Sequence, residues 1–149
     1  MFKTRTLLIA SGTALLAAAV PAFAAQTMGD GGRKLTTTLS GAAEVPGPGD
    51  TDGKGTFTAR VNPGQGQVCY TLTVAMIAAP TAAHIHRGAT GVAGPVVVAL
   101  KAPTNGASKA CVTVTRELAM ALIKDPQDYY VNVHNAAFPS GAVRGQLAK

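Results

Sequence analysis

Residues 56–74 read TFTARVNPGQGQVCYTLTV, and this stretch decides the fold class. On both sides of its centre, apolar side chains alternate with polar ones: Phe57, Ala59 and Val61 before it, and Val68, Tyr70, Leu72 and Val74 after it. A period of two is typical of a β-strand with one buried face. The segment 62–66, Asn-Pro-Gly-Gln-Gly, consists of turn-forming residues. The stretch therefore predicts a β-hairpin.

Similar short patterns occur along the rest of the chain. Further strands are expected at residues 34–39, 82–86, 95–100, 111–115, 129–134 and 142–147, which makes about eight short strands with the hairpin. Charged residues make up 13% of the chain, about half of the ~25% typical of soluble domains, so long helices covered with charge pairs are not expected. The sequence predicts an all-β fold, an antiparallel β-sandwich.

One segment has helical spacing. Leu118, Leu122 and Ile123 fall on one helical face, and Thr115 is a suitable N-terminal cap. Asp125-Pro126 ends the pattern, because a proline ring cannot continue the helical hydrogen bonds. We expect one short helix here.

The N-terminus has the pattern of a secretory signal peptide. Lys3 and Arg5 precede an apolar run at 7–20, and Ala22-Phe23-Ala24 has the small residues of a cleavage site. The predicted organisation is a signal peptide at 1–24, a flexible N-terminus at 25–33 and one domain at 34–149. The apolar run is short for a membrane span of ~20 residues, so we expect a periplasmic or secreted protein that is not transmembrane.

The net charge of +6 falls to +4 when Lys3 and Arg5 are removed. The remaining Lys and Arg residues are spread along the chain without a run, so nucleic acid is not an expected partner. The acidic residues suggest no acid/base pair, and neither a G-x-S-x-G elbow nor a phosphate-binding loop occurs. Hydrolase and nucleotide-binding functions are therefore not expected.

Cys69 and Cys111 are the only cysteines. Export would place them where disulfides persist, so we expect a structural bond between them. A redox-active pair would more often form a C-x-x-C motif, which this sequence lacks.

The three histidines carry the most chemistry. His84 and His86 flank Ile85 in a predicted strand, so both imidazoles project from one face, and His134 ends another predicted strand. Three neutral imidazoles suit Zn or Cu(II), with water or Glu44 as a further ligand. The alternative, which the sequence leaves open, is that these imidazoles bind backbone carbonyls and brace loops.

Four motifs in order resemble the CHRD domain, the repeat first described in chordin: 39–46 LSGAAEVP, 83–97 AHIHRGATGVAGPVV, 130–135 YVNVHN and 139–147 PSGAVRGQL. The likeness covers about Lys34 to Leu147. One departure is Ala142, where an acidic residue is common. A weaker resemblance to copper/zinc superoxide dismutases lies in the H-x-H strand with a distant histidine. The expected sandwich is accordingly of the Greek-key kind, immunoglobulin-like or superoxide-dismutase-like.

The resemblance implies an extracytoplasmic binding or structural module with an unknown ligand or protein partner, and no enzymatic activity is expected. The alternative function is a metalloenzyme of oxidative-stress defence. Arg87 and Arg144 each stand beside a glycine near a histidine motif. We expect both guanidinium groups to be structural, binding loop carbonyls.

Overall fold

The structure, a computed structural model, describes residues 31–149. The predicted signal peptide and most of the predicted flexible N-terminus lie outside the described residues. The described chain contains eight strands and one α-helix: β1 (Arg33–Ser40), β2 (Lys54–Asn62), β3 (Gln67–Ala75), β4 (Pro80–Arg87), β5 (Val96–Leu100), β6 (Ala107–Thr113), α1 (Arg116–Lys124), β7 (Tyr129–Asn135) and β8 (Val143–Gln146). Short 3₁₀ turns occupy Gly41–Ala43 and Pro126–Asp128.

The eight strands form one sheet in the order β5-β4-β7-β8-β1-β2-β3-β6, and every neighbouring pair is antiparallel. The sheet curves into a nearly closed barrel or sandwich. Its two edge strands, β5 and β6, come close enough to line opposite sides of one groove. The backbone N–H of Lys101, just after β5, donates to the hydroxyl of Tyr70 on β3 at 2.7 Å. The predicted all-β sandwich with one short helix is confirmed.

Strand alternation separates a buried face from an outer face. In the predicted hairpin, Phe57 on β2 pairs with Leu72 on β3, and both side chains are buried. Phe57 also stacks on Tyr70 with 5.6 Å between the ring centroids. The fully buried side chains of Val131 and Val133 on β7 extend the same core. The sheet therefore encloses its apolar residues and leaves every second residue outside.

Helix α1 begins and ends where the sequence indicates. The Thr115 hydroxyl accepts a hydrogen bond from the Leu118 backbone N–H at 3.2 Å, and Ala119 and Leu122 are buried against the core. Strand β6 differs from the expected 111–115, since it runs from Ala107 to Thr113. The strand ends two residues earlier than expected for two reasons. The N–H of Val114 donates to the carbonyl oxygen of Gly66, which lies outside the β3–β6 ladder, and Thr115 caps helix α1.

Cys69 and Cys111 are directly opposite each other in the β3–β6 pair and form a disulfide, as predicted. The bond joins an edge strand to its only neighbour in the sheet. Its place on the outer face is consistent with a structural role. No helix among residues 31–149 is long and apolar enough to cross a membrane.

Candidate metal site

The three histidines lie together on the outer face of β4 and β7. In β4, Ala83 and Ile85 enter the core, so His84 and His86 project outward. In β7, Val131 and Val133 enter the core, which places Tyr130, Asn132 and His134 outward. The register sets His84 opposite Asn132 and His86 opposite Tyr130. We call this surface, formed by His84, His86 and His134 with Tyr130 and Asn132, the histidine face.

One ligand nitrogen from each histidine lies within 4.8 Å of the ligand nitrogens of the other two. The ring centroids are 5.5 Å apart for His84 and His86 and 5.1 Å apart for His84 and His134. In a tetrahedral site with metal–nitrogen bonds of about 2.1 Å, ligand nitrogens are about 3.4 Å apart. The cluster therefore needs only small side-chain rotations to bring three nitrogens around one ion.

His86 is fixed by its Nδ1 atom and by its ring. Nδ1 lies 2.8 Å from the carbonyl oxygen of Gly94, and because a carbonyl only accepts, Nδ1 carries the proton. The ring stacks on Tyr130 with 4.8 Å between centroids. His86 is 9% exposed, and its Nε2 is buried without a hydrogen-bond partner. A neutral His86 therefore holds an unused lone pair on Nε2.

His134 is likewise held through its Nδ1 atom by a backbone carbonyl, but its Nε2 has partners. Its Nδ1 donates to the carbonyl oxygen of Pro139 at 3.0 Å, so a neutral His134 keeps its lone pair on Nε2. This Nε2 lies 3.1 Å from Nδ1 of His84, which donates to it in that state. The side-chain amide of Asn132 also approaches Nε2, with Oδ1 at 3.0 Å. A half-turn of that amide would place its NH₂ group beside Nε2 in place of the oxygen, as a donor that competes with His84.

Burial favours the neutral forms of His84 and His134. Desolvation lowers the pKa of His84 below its usual value of 6.5, and the neighbouring His134 and His86 lower it further. Desolvation also lowers the pKa of His134, against the hydrogen bond to Pro139, which raises it. Neutral imidazole is the form that binds a metal ion.

The loop 88–95 between β4 and β5 covers one side of the histidine face. Arg144 on β8 holds it: its guanidinium donates to the carbonyl oxygens of Val92 and Ala89, each at 3.0 Å. The same guanidinium lies 3.4 Å from the centroid of Tyr130, on whose ring His86 also stacks. Arg144 is only 2% exposed. Arg144, Tyr130 and His86 thus form one stack, which connects the loop to the imidazole of His86.

The loop 136–141 between β7 and β8 lies beside a second feature, a cavity of about 180 Å³ that Glu44 lines together with residues 45–48 and 137–141. Glu44 is 8% exposed, and its Oε1 has no hydrogen-bond partner. The carboxylate occupies the space where a side chain on Gly141 would lie. Burial raises the pKa of Glu44 to about 7, although the Val45 backbone and the charge of Arg144 lower it.

The structure brings together the three histidines that the sequence singled out. Glu44 is not in this cluster, since it faces Gly141 and its own cavity. Arg144 binds loop carbonyls through its side chain, whereas Arg87 is exposed and bonds to the loop through its backbone N–H, which donates to Pro95 at 3.0 Å.

Sequence reasoning did not find the carbonyls of Gly94 and Pro139, which orient the imidazoles. Every residue has a backbone carbonyl, so the residue types at 94 and 139 give no signal for this role. Tyr130 and Asn132 had a usable signal, because Tyr-x-Asn-x-His places all three side chains on one strand face.

Comparison with known proteins identifies one family. A family model described as the CHRD domain matches residues 35–147, nearly the whole described chain. No curated protein and no solved structure shows a significant match.

Proposed function

The chain belongs to the CHRD domain family, and on this premise we propose that it is an exported binding module that holds one Zn²⁺ or Cu²⁺ ion through His84, His86 and His134. The domain suggests a binding or structural module, and it is not a known enzyme family. The disulfide and the domain are both compatible with an extracellular protein.

One observation carries the proposal: the Nε2 atom of His86 is buried and has no partner. A buried polar atom without a hydrogen bond costs on the order of 1–3 kcal/mol, so it is seldom left in this state. A metal ion would use this lone pair. The Gly94 carbonyl on the opposite nitrogen is the outer partner that metal-binding histidines usually have, since it fixes the tautomer and the ring orientation.

The ligand chemistry agrees with a borderline transition metal. Imidazole ligands suit Zn and Cu, whereas Mg and Ca prefer oxygen ligands. Three imidazoles leave a fourth position for water or an exogenous ligand. Because all three ligands are neutral, the bound ion would keep its full double charge.

Calorimetric titration of metal-free protein at pH 7.5 with ZnCl₂ and with CuSO₄ tests the proposal. We expect one equivalent of either ion to bind with a Kd in the micromolar range or lower. His86→Gln and His134→Gln should each abolish this binding. Glu44→Gln is the matched control, since it alters a buried polar residue outside the cluster and should leave uptake unchanged. Uptake of neither ion by the wild type, or uptake that survives both histidine substitutions, would contradict the site.

The same preparation separates binding from catalysis. The metal-loaded protein is assayed for superoxide consumption, with the His86→Gln variant in the same metal solution as the blank. A binding module consumes no more superoxide than this blank. Turnover that depends on His86 would instead favour the metalloenzyme of oxidative-stress defence.

A further inference from the structure

A second surface lies on the outer face of β1, β2 and β3. The sequence Thr-x-Thr occurs in each of these strands: Thr36 and Thr38, Thr56 and Thr58, Thr71 and Thr73. The register sets Thr36 opposite Thr58 and Thr58 opposite Thr71, while Thr38 is opposite Thr56 and Thr56 opposite Thr73. We call these six residues the threonine face.

The register makes the threonine face a regular array of hydroxyl groups. Directly opposite residues project from the same side of a sheet, so the array has two rows of three threonines. Neighbouring strands in a sheet are about 4.8 Å apart, and alternate residues along one strand are about 6.8 Å apart. All six side chains are exposed or half-buried. One contact is internal to the array, between the Thr56 and Thr73 hydroxyl oxygens at 2.7 Å.

Positive charge surrounds this array. Lys34 and Arg60, opposite each other in the register, extend it at one end, and Lys54 lies at the other. Lys109 on β6 is opposite Thr71 and lies at the end of the row that Thr36, Thr58 and Thr71 form. None of the strands β1, β2, β3 and β6, which all lie within the described residues, contains an Asp or Glu. The local charge therefore favours an anionic occupant.

Two shallow depressions lie along this surface. One contains threonines of β1 and β2 together with Gln146 and Ala148. The other contains Arg33, Lys34, Arg60 and Lys149 with no acidic side chain. One hollow presents hydroxyl groups and the other presents cations, and they lie along the same strands. One extended ligand could therefore make both hydrogen bonds and ion pairs.

The outward positions of β1, β2, β3 and β6 include no aromatic side chain. Binding of single-stranded nucleic acid relies on aromatic stacking. The outer face of these four strands offers no side chain for it. A polymer of sugars can bind without such stacking, because its hydroxyl groups exchange hydrogen bonds along its whole length.

We infer that the threonine face, with Lys34, Arg60 and Lys109, is a binding surface for an extended polysaccharide whose sugars carry carboxylates. The hydroxyl rows bond to sugar hydroxyl groups, and the cations pair with the carboxylates. The affinity comes from many weak contacts, so it falls with ionic strength as the exposed charges are screened. This surface is separate from the histidine face and does not depend on a metal ion.

Binding to alginate, a carboxylated polysaccharide, is compared with binding to dextran, which is uncharged, by affinity electrophoresis. We expect the wild type to bind alginate at least tenfold more tightly than dextran, and the preference to shrink at high salt. The double variant Lys34→Gln/Arg60→Gln should lose at least tenfold in affinity for alginate. Its matched control is Lys101→Gln/Arg116→Gln, which removes two exposed cations elsewhere and should retain wild-type binding.

A second variant tests the hydroxyl groups without changing charge. Thr36→Val/Thr58→Val/Thr71→Val keeps the β-branched shape and should lose severalfold in affinity for alginate. Its control is Thr81→Val/Thr90→Val/Thr104→Val, three exposed threonines outside the array. Circular dichroism verifies that each variant is folded.

Four outcomes would overturn the inference. They are equal affinity for alginate and dextran, equal loss in a variant and its control, loss in the cation variant alone, and equally tight binding of duplex DNA. Loss in the cation variant alone would mean simple ion exchange. Equal binding of DNA would mean a generic surface for polyanions.

Discussion

The histidine face and the threonine face lie on the outer side of the same sheet, but loops cover only the first. On the histidine face, loop 88–95 is held by Arg144, and loop 136–141 supplies the Pro139 carbonyl. Threonine side chains on the other face remain largely accessible. The two described buried polar atoms without a partner, His86 Nε2 and Glu44 Oε1, both lie near these loops. Strand alternation places residues outward on both faces, whereas the loops remove water from only one.

This difference predicts that a substitution changes stability most where a buried group or a covalent bond is altered, and least where water replaces the lost contact. Four experiments test this, in order of decreasing expected effect.

The disulfide beside the threonine face should have the largest effect. For a separation of 42 residues, chain-entropy arithmetic gives about 4 kcal/mol. We expect Cys69→Ala/Cys111→Ala to lower Tm by on the order of 15 °C in calorimetry. Metal binding by the refolded variant should be unchanged, because both cysteines lie away from the histidine face. A loss below about 1 kcal/mol would mean that other contacts hold β6 in place.

Arg144 should be the most costly single residue of the covered face. Arg144→Lys keeps the charge but loses the planar fork that binds two carbonyls and stacks on Tyr130. We expect a loss of about 2–3 kcal/mol in the free energy of unfolding, measured by urea denaturation. Arg87→Lys is the matched control on an exposed side chain, and its effect should stay within about 0.5 kcal/mol. Equal effects of the two substitutions would refute the contrast.

Glu44 should make stability depend on pH. Its pKa is raised from 4.5 to about 7 in the folded state, so the folded protein binds more protons than the unfolded chain between these values. Stability from this group is therefore full below pH 4.5 and is lost as the pH rises towards 7.

Glu44→Gln removes this effect. At pH 8 the variant should be more stable than the wild type by about 2 kcal/mol, and the difference should fall as the pH decreases to 4. Thermal unfolding across this range measures it, with the exposed Glu117→Gln as control. A variant that is equally destabilised at every pH would show that the carboxylate acts through packing or hydrogen bonds instead.

The threonine face should tolerate substitution. Thr56→Val breaks the exposed hydrogen bond to Thr73 but keeps a β-branched side chain in the strand. We expect a change of no more than about 0.5 kcal/mol in either direction. Chemical denaturation of the variant and the wild type measures this difference in the free energy of unfolding. A loss above about 1 kcal/mol would mean that the array is needed for folding.

Much of the fold could be predicted from local pattern. The alternation of Phe57, Ala59 and Val61 with polar residues indicated a strand, and the structure confirms it. Thr115 and Pro126 bound the helix as expected, because capping and ring geometry act within a few residues. The start of β6 was missed, since Ala107 and Ser108 pair with β3 through distant contacts that a local window does not contain.

For the candidate metal site, the sequence supplied the residue types and one spacing. His84 and His86 share a face because a strand repeats every two residues. The position of His134 beside them, and of Glu44 apart from them, depends on the order of strands and the path of loop 136–141.

By itself, the sequence determined which side chains face outward, which segment is helical and that a disulfide was available, because these follow from short-range backbone geometry and residue chemistry. Only the tertiary structure decided that three distant histidines meet, that two backbone carbonyls fix their protons and that six threonines align in two rows. Those arrangements depend on strand register and loop closure. Both are set by the packing of the whole core, where residues far apart in the chain become neighbours.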